Sequence, residues 1–190
     1  LSVLDACAGP GGKTVQLAWR MGPPAPGAPP HRLVALDLHE DRLALVRANL
    51  ARTRQDWVDV RQGDLAAPSP DALAPLGLFD RILLDAPCSN SGVLRRRPDA
   101  RWRWTTQRMK QLAAVQALML ENALALLAPG GRLVYSTCSL EHDENRRQLT
   151  LLRQAHPELV CTGVVECIPS RSHTDGAFAC AIEKPAPARA

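Results

Sequence analysis

The chain lacks a long apolar run: nothing approaches the roughly 18 uninterrupted residues that a membrane-crossing helix needs, and no basic-then-apolar leader precedes the first hydrophobic segment. Membrane insertion and secretion are therefore unsupported, and a cytoplasmic protein is expected. It also lacks any Cys-x-x-Cys pair, although it holds six cysteines, at 7, 88, 138, 161, 167 and 180. That spacing disfavours a zinc cluster, and no metal is expected. A chain of 190 residues with 46% hydrophobic content can bury a core without disulfide staples, so the thiols read as free. There is no internal repeat, and charge is nearly balanced, with a formal excess of +4. So mild a basic balance is compatible with a nucleic-acid partner but does not require one.

What is present is alternation. Short apolar runs at Leu1–Ala6, Leu33–Asp37, Val58–Arg61, Phe79–Asp85, Arg132–Cys138, Leu159–Val165 and Phe178–Glu183 read as seven strands. Helical spacing marks Lys13–Met21, Asp41–Arg52, Thr106–Leu127 and Glu141–Gln154. Pro129-Gly130-Gly131 reads as the stop of the third of these helices. The proline-rich stretch from Gly22 to Pro30 reads as a surface loop. Strands alternating with helices predict an α/β fold with a mostly parallel, doubly wound sheet of seven strands. The last strand has no helix after it and is expected to run antiparallel. One domain spanning 1–190 follows. Because Leu1 already stands inside a hydrophobic strand, the chain is expected to be a fragment of a longer protein.

Three segments carry chemistry. The first is Asp5-Ala6-Cys7-Ala8-Gly9-Pro10-Gly11-Gly12-Lys13-Thr14, where small residues let backbone approach a ligand at a helix N-terminus. It matches neither a P-loop nor Gly-x-Gly-x-x-Gly. Asp37 ends the second strand, where a carboxylate commonly bonds the ribose of an adenosine-containing cofactor, and Asp64 follows the third, placed to meet an adenine amino group. Either acid alone would read as a turn or cap residue; together, after successive strands, they read as a cofactor site.

The second is a pair of thiols. Cys88 follows Asp85-Ala86-Pro87 at the end of the fourth strand, and Cys138 follows Ser136-Thr137 at the end of the fifth. The C-terminal strand ends of an open α/β sheet face its ligand crevice. The tetrapeptide after the fourth strand lacks the second proline and the aromatic residue that amine-methylating enzymes use to hold a flipped amine. A thiol suits a different problem. C5 of a pyrimidine is a poor nucleophile until something adds at C6, and covalent catalysis supplies that electron density. The thiolate is the reactive form, so activation is needed; Lys13 could supply positive field, and Asp85 could hydrogen-bond the ring. Cys7, Cys161, Cys167 and Cys180 read as inert thiols.

The third runs from Arg95 to Trp104 and holds Arg95, Arg96, Arg97, Arg101 and Arg103, interleaved with Trp102 and Trp104. Such a run is ordinarily a solvated face. Beside a catalytic thiol it suits phosphates and unpaired bases of RNA.

On these residues, with Glu144-Asn145 and Asp175-Gly176-Ala177-Phe178, the chain resembles the Sun (Fmu) family of RNA (cytosine-5) methyltransferases, particularly its bacterial 16S ribosomal RNA members. The resemblance implies a Rossmann-like fold that binds S-adenosylmethionine through Cys7, Ala8, Gly9, Pro10, Gly11, Gly12, Lys13, Asp37, Asp64 and Asp85. It implies Cys138 as the nucleophile at C6, Cys88 as the thiol that assists product release, and an N-terminal RNA-binding region beyond this chain. Ribosomal RNA is the expected partner. A transfer-RNA cytosine-5 methyltransferase is the nearest alternative, and a non-catalytic RNA-binding or ribosome-assembly module is the alternative of another class.

Overall fold

A computed structural model describes all residues except 28, 30, 68, 69 and 187–190; the predicted loop at 22–30 therefore lies partly outside the described residues. Seven strands form one sheet: β1 (Ser2–Asp5), β2 (Arg32–Asp37), β3 (Asp59–Gln62), β4 (Phe79–Asp85), β5 (Leu127–Thr137), β6 (Val160–Cys167) and β7 (Ala177–Glu183). Their spatial order is β3-β2-β1-β4-β5-β7-β6. β1 to β5 pair in parallel, while β7 is antiparallel to both β5 and β6. β7 alone runs against the rest, as its position without a following helix predicts.

Helices cover both faces because the central strands are apolar on both. In β2, Leu33 and Ala35 face α1 (Gly12–Met21) and α2 (Glu40–Arg52), packing with Ala18, Leu43, Val46 and Leu50. Val34 and Leu36 point the other way, into the larger core with Phe79, Leu84, Leu133 and Tyr135. That core is closed by two later helices. α3 (Ala100–Arg103) is a short turn, α4 (Thr106–Leu126) brings Met119, Leu120 and Ala123 against the sheet, and α5 (Arg146–Ala155) adds Leu149 and Leu152. α6 (Pro169–Ser172) is a single turn between β6 and β7.

Two expectations need correction. Pro129-Gly130-Gly131 does not stop a helix. α4 ends at Leu126, Leu127 turns extended and pairs with Phe79, and the three residues lie within β5, whose register against β4 shifts there. Gly130 has φ +76° and donates its N–H to Lys184 O. At Gly131 a Cβ would stand 2.7 Å from Ala128 O. Glycine is needed here for close approach inside a strand rather than for capping.

The helix expected from Glu141 begins instead at Arg146, after a 3-10 turn at His142–Glu144. Asn145 departs from helical geometry, with φ −119° and ψ −100°. Its side chain accepts from Thr137 Oγ1 at 2.6 Å and donates to Ser139 O at 2.8 Å. Binding to the loop after β5 thus takes Asn145 out of the helix.

Candidate active site

The parallel strands β1, β2, β4 and β5 all end on one edge, and the predicted residues collect along it. At the β1 end, Gly9 and Gly11 take φ +54° and +89°, and Gly9 N donates to Asp37 Oδ2 at 2.9 Å. The other oxygen of Asp37 accepts from His39 N. Asp37 therefore shapes the loop as well as facing it. Thr14 Oγ1 donates to Asp5 Oδ2 at 2.6 Å, while Asp5 Oδ1 is buried without a partner. Burial pushes the Asp5 carboxyl up to about 6, against the hydrogen bond from Thr14. Burial, helped by Asp37, Asp5 and Asp85, pushes the Cys7 thiol far up, which suits an inert thiol. Three carboxylates thus act on one point of the loop. Asp64 lies half-buried after β3, one oxygen accepting from Ala66 N at 2.8 Å.

This edge fits a cationic nucleoside cofactor. Asp5 Oδ1 is an orphaned buried acceptor, the carboxylates favour positive charge, and a Cβ at Gly9 or Gly12 would meet nothing within 4 Å.

The two thiols meet at the next strand ends. Cys88 Sγ and Cys138 Sγ stand 3.3 Å apart although 50 residues separate them. Cys88 is buried and Cys138 half-buried. The contact splits their acidities. Cys138 is drawn below the ordinary thiol range, chiefly by the hydrogen bond from Cys88, with Arg97 helping and burial and Asp85 opposing. Cys88 is pushed far up by that same bond and by burial. Of the pair, Cys138 is the readier thiolate. Lys13, expected to supply field to the thiol, is instead paired with Asp85 Oδ2, whose Oδ1 accepts from Ser136 Oγ at 2.8 Å. The cation acting on Cys138 is Arg97.

Behind the thiols lies a polar lattice. Glu144 is fully buried and accepts from Ser89 N (2.9 Å), Ser89 Oγ (2.5 Å), Ser139 Oγ (2.5 Å) and Gln116 Nε2 (3.1 Å). Gln116 also donates to Pro87 O at 2.8 Å, and Tyr135 Oη donates to Glu144 O at 2.7 Å. One carboxyl therefore ties the loop carrying Cys88 to the loop carrying Cys138. A backbone interlock adds to it: Gly92 N donates to Cys138 O at 3.0 Å, and Gly176 N to Gly92 O at 2.7 Å.

The arginine run divides. Arg97 and Arg103 line a cavity of about 210 Å³ that opens beside Cys88, Ser89 and Asn90. Arg103 also pairs with Asp99. Arg96 is held by Asp175 at 2.5 Å, Arg101 lies over the ring of Trp102, and Arg95 lines a separate groove with His173 and Asp175. Two cations that the sequence did not single out, Arg42 from α2 and Arg108 from α4, line the cavity with Trp104. No local motif marks them; only the packing of their helices brings them in. Among the described residues, no group of three or more His, Cys, Asp or Glu is placed to hold a metal ion, and no helix is long and apolar enough to cross a membrane.

A family model described as 16S rRNA methyltransferase RsmB/F matches residues 2–183. The chain belongs to this family. Ribosomal RNA small subunit methyltransferase B of Pectobacterium atrosepticum is 39% identical over 183 residues, covering 93% of this chain and 40% of that protein. The enzyme of the same name from Yersinia enterocolitica is 41% identical over 168 residues, covering 87% and 37%. The chain thus spans about two fifths of the length of these relatives. Among solved structures, NSun6 from Pyrococcus horikoshii with SFG superposes with a TM-score of 0.82 at 26% identity, covering 96% of this chain and 47% of that one. A methyltransferase homolog protein from the same organism gives 0.73 at 30% identity, covering 96% and 61%.

Proposed function

We propose that this domain methylates C5 of a cytosine in RNA, most specifically small-subunit ribosomal RNA, with Cys138 as nucleophile and S-adenosylmethionine as cofactor. The observation that carries this reading is the pair of thiols 3.3 Å apart, with unequal acidities, between an acidic glycine loop and an arginine-lined cavity. Membership in the RsmB/F family supports the same substrate class.

When bound, S-adenosylmethionine supplies an electrophilic methyl group. Residues 7–13 would lie along it, Asp37 would accept from its ribose hydroxyls, and Asp64 and Asp5 would accept from its amino groups. Arg42, which borders the cavity and acts on Cys7, would meet its carboxylate.

On the RNA side, the target base must leave its stack to reach the thiols. Arg97, Arg103 and Arg108 would hold the flanking phosphates, and Trp104 would stack on a neighbouring base. The sulfur of Cys138 bonds to C6, which makes C5 nucleophilic and lets it take the methyl group. A base then removes the C5 proton, the S–C6 bond breaks, and its electron pair returns to Cys138. Asp85, oriented by Lys13 and Ser136, retains lone pairs for the ring's amino group. Cys88, the thiol that stays protonated, would donate a hydrogen bond to the departing sulfur and so stabilise it as a thiolate.

The decisive experiment uses the intact protein, S-adenosylmethionine and small-subunit RNA carrying 5-fluorocytidine. Fluorine blocks removal from C5, so the covalent adduct persists in denaturant. An adduct in wild type and Cys88→Ala but absent from Cys138→Ala is expected. The reverse pattern would make Cys88 the nucleophile, and no adduct in any of the three would overturn the reading.

A further inference from the structure

The amide of Asn90 is shared between the two thiol loops. Its backbone sits in the left-handed region, φ 61° and ψ 22°, which turns the side chain back toward the strand ends. Asn90 Nδ2 donates to Cys88 O at 3.1 Å. A backbone carbonyl can only accept, so this bond fixes which way the amide points. Oδ1 is thereby left facing Cys138 Sγ, also at 3.1 Å. An amide oxygen has no proton to give, so only the protonated thiol can satisfy it. Cys88, by contrast, can donate to Cys138 whether or not Cys138 is ionised, since its own S–H is the donor.

We propose that Asn90 is a positioning residue that aims Cys138 between the loops and biases it toward its protonated form until the cavity is filled. The inference rests on Cys138 being the nucleophile. The groups acting on Cys138 pull both ways: Cys88 and Arg97 favour the thiolate, whereas Asp85, itself paired with Lys13, opposes it. Glu144 is spent on Ser89, Ser139 and Gln116. Against this background the carbonyl oxygen of Asn90 is a fixed weight on the neutral side. The consequence is chemical restraint. Two sulfurs this close, one of them a free thiolate, would invite alkylation and oxidation in the empty enzyme, because the thiolate is the reactive form. Asn90 also lines the cavity, so a base entering it meets the amide that restrains the thiol.

The test is the pH dependence of Cys138 alkylation by iodoacetamide in the intact protein, followed by peptide mapping to separate Cys138 from the other five thiols. Wild type is compared with Asn90→Gly, which suits the left-handed backbone, and Asn90→Asp, which offers the thiol a stronger acceptor. Losing one neutral hydrogen bond should lower the midpoint in Asn90→Gly and speed alkylation at pH 7 about fivefold. Asn90→Asp should shift the midpoint the other way. A midpoint that stays or rises in Asn90→Gly overturns the proposal; if that variant does not fold, a midpoint that stays or falls in Asn90→Asp does so. The readout needs no RNA. If the fluorocytidine adduct fails while these shifts appear, it is the functional reading that has failed and not the restraint on the thiol.

Discussion

The two ends of the active edge are built differently. The side proposed to hold the cofactor, from β1 to β3, is mostly backbone and carboxylate: glycines at positive φ, Asp37 accepting from Gly9 N, and Asp5 with one oxygen unused. The thiol side, between β4, β5 and β7, is a closed lattice centred on Glu144, whose two oxygens take four hydrogen bonds, and Gln116 Oε1 is the buried acceptor it leaves unpartnered. An open edge can accept a ligand, because its unfilled bonding capacity awaits one. A closed lattice holds reacting atoms still, because any displacement strands a buried donor or acceptor.

The contrast is most sharply broken by deleting the centre of the lattice. Glu144→Ala leaves donors from Ser89, Ser139 and Gln116 buried and unmatched, and should cost about 3 kcal/mol, read as a lowered Tm or urea midpoint. An equal effect from Asp37→Ala would mean that the cofactor side is no more open than the thiol side. Next come the glycines. A Cβ at Gly92 would stand 2.6 Å from Gly176 O and 2.8 Å from Cys138 O, both backbone, so Gly92→Ala should cost about 2 kcal/mol and disturb the thiol loop. Gly12→Ala, with nothing within 4 Å, should leave stability within about 0.5 kcal/mol of wild type yet weaken cofactor binding measured by calorimetry.

A smaller effect concerns pH. The Asp5 carboxyl is raised to about 6, so it is largely protonated at pH 5 and ionised at pH 7. A cationic ligand favours the ionised form, hence affinity for S-adenosylmethionine should fall as pH drops through 6, by up to about tenfold. Asp5→Asn should flatten that dependence. The linked effect on stability has the opposite sign. A folded-state value above the ordinary 3.8 means that the folded protein holds the proton longer, so Asp5 favours folding at low pH and loses that contribution as pH rises from about 4 to 6. Within the lattice a milder change than Glu144→Ala is expected of Tyr135→Phe, which removes only the bond to Glu144 O and should cost about 1 kcal/mol.

The cofactor side was the more legible in sequence, and for a local reason. Asp5 and Thr14 lie nine residues apart and touch within one strand-turn-helix unit, and Asp37 follows at the next strand end. The number and direction of the strands were equally open to reading, since apolar runs alternating with helical spacing imply parallel crossovers, whereas their spatial order came from the structure. Pro129-Gly130-Gly131 misled because turn residues look alike whether they cap a helix or let two backbones approach inside a strand. Gln116 escaped notice because one glutamine in an apolar helix face carries no signal until its partner, 28 residues away, is placed opposite.

By itself, then, the sequence determined the α/β class, the strand ends that matter, both thiols and the acidic loop, because each rests on short-range periodicity or on one element's terminus. Only the tertiary structure decided that the two sulfurs touch, that Lys13 serves Asp85 while Arg97 serves Cys138, that Arg42 and Arg108 join Arg97 and Arg103 at the cavity, and that Glu144 and Asn90 govern the thiol loops. These depend on separations in space between residues far apart in the chain, and on which side chains burial leaves with a partner.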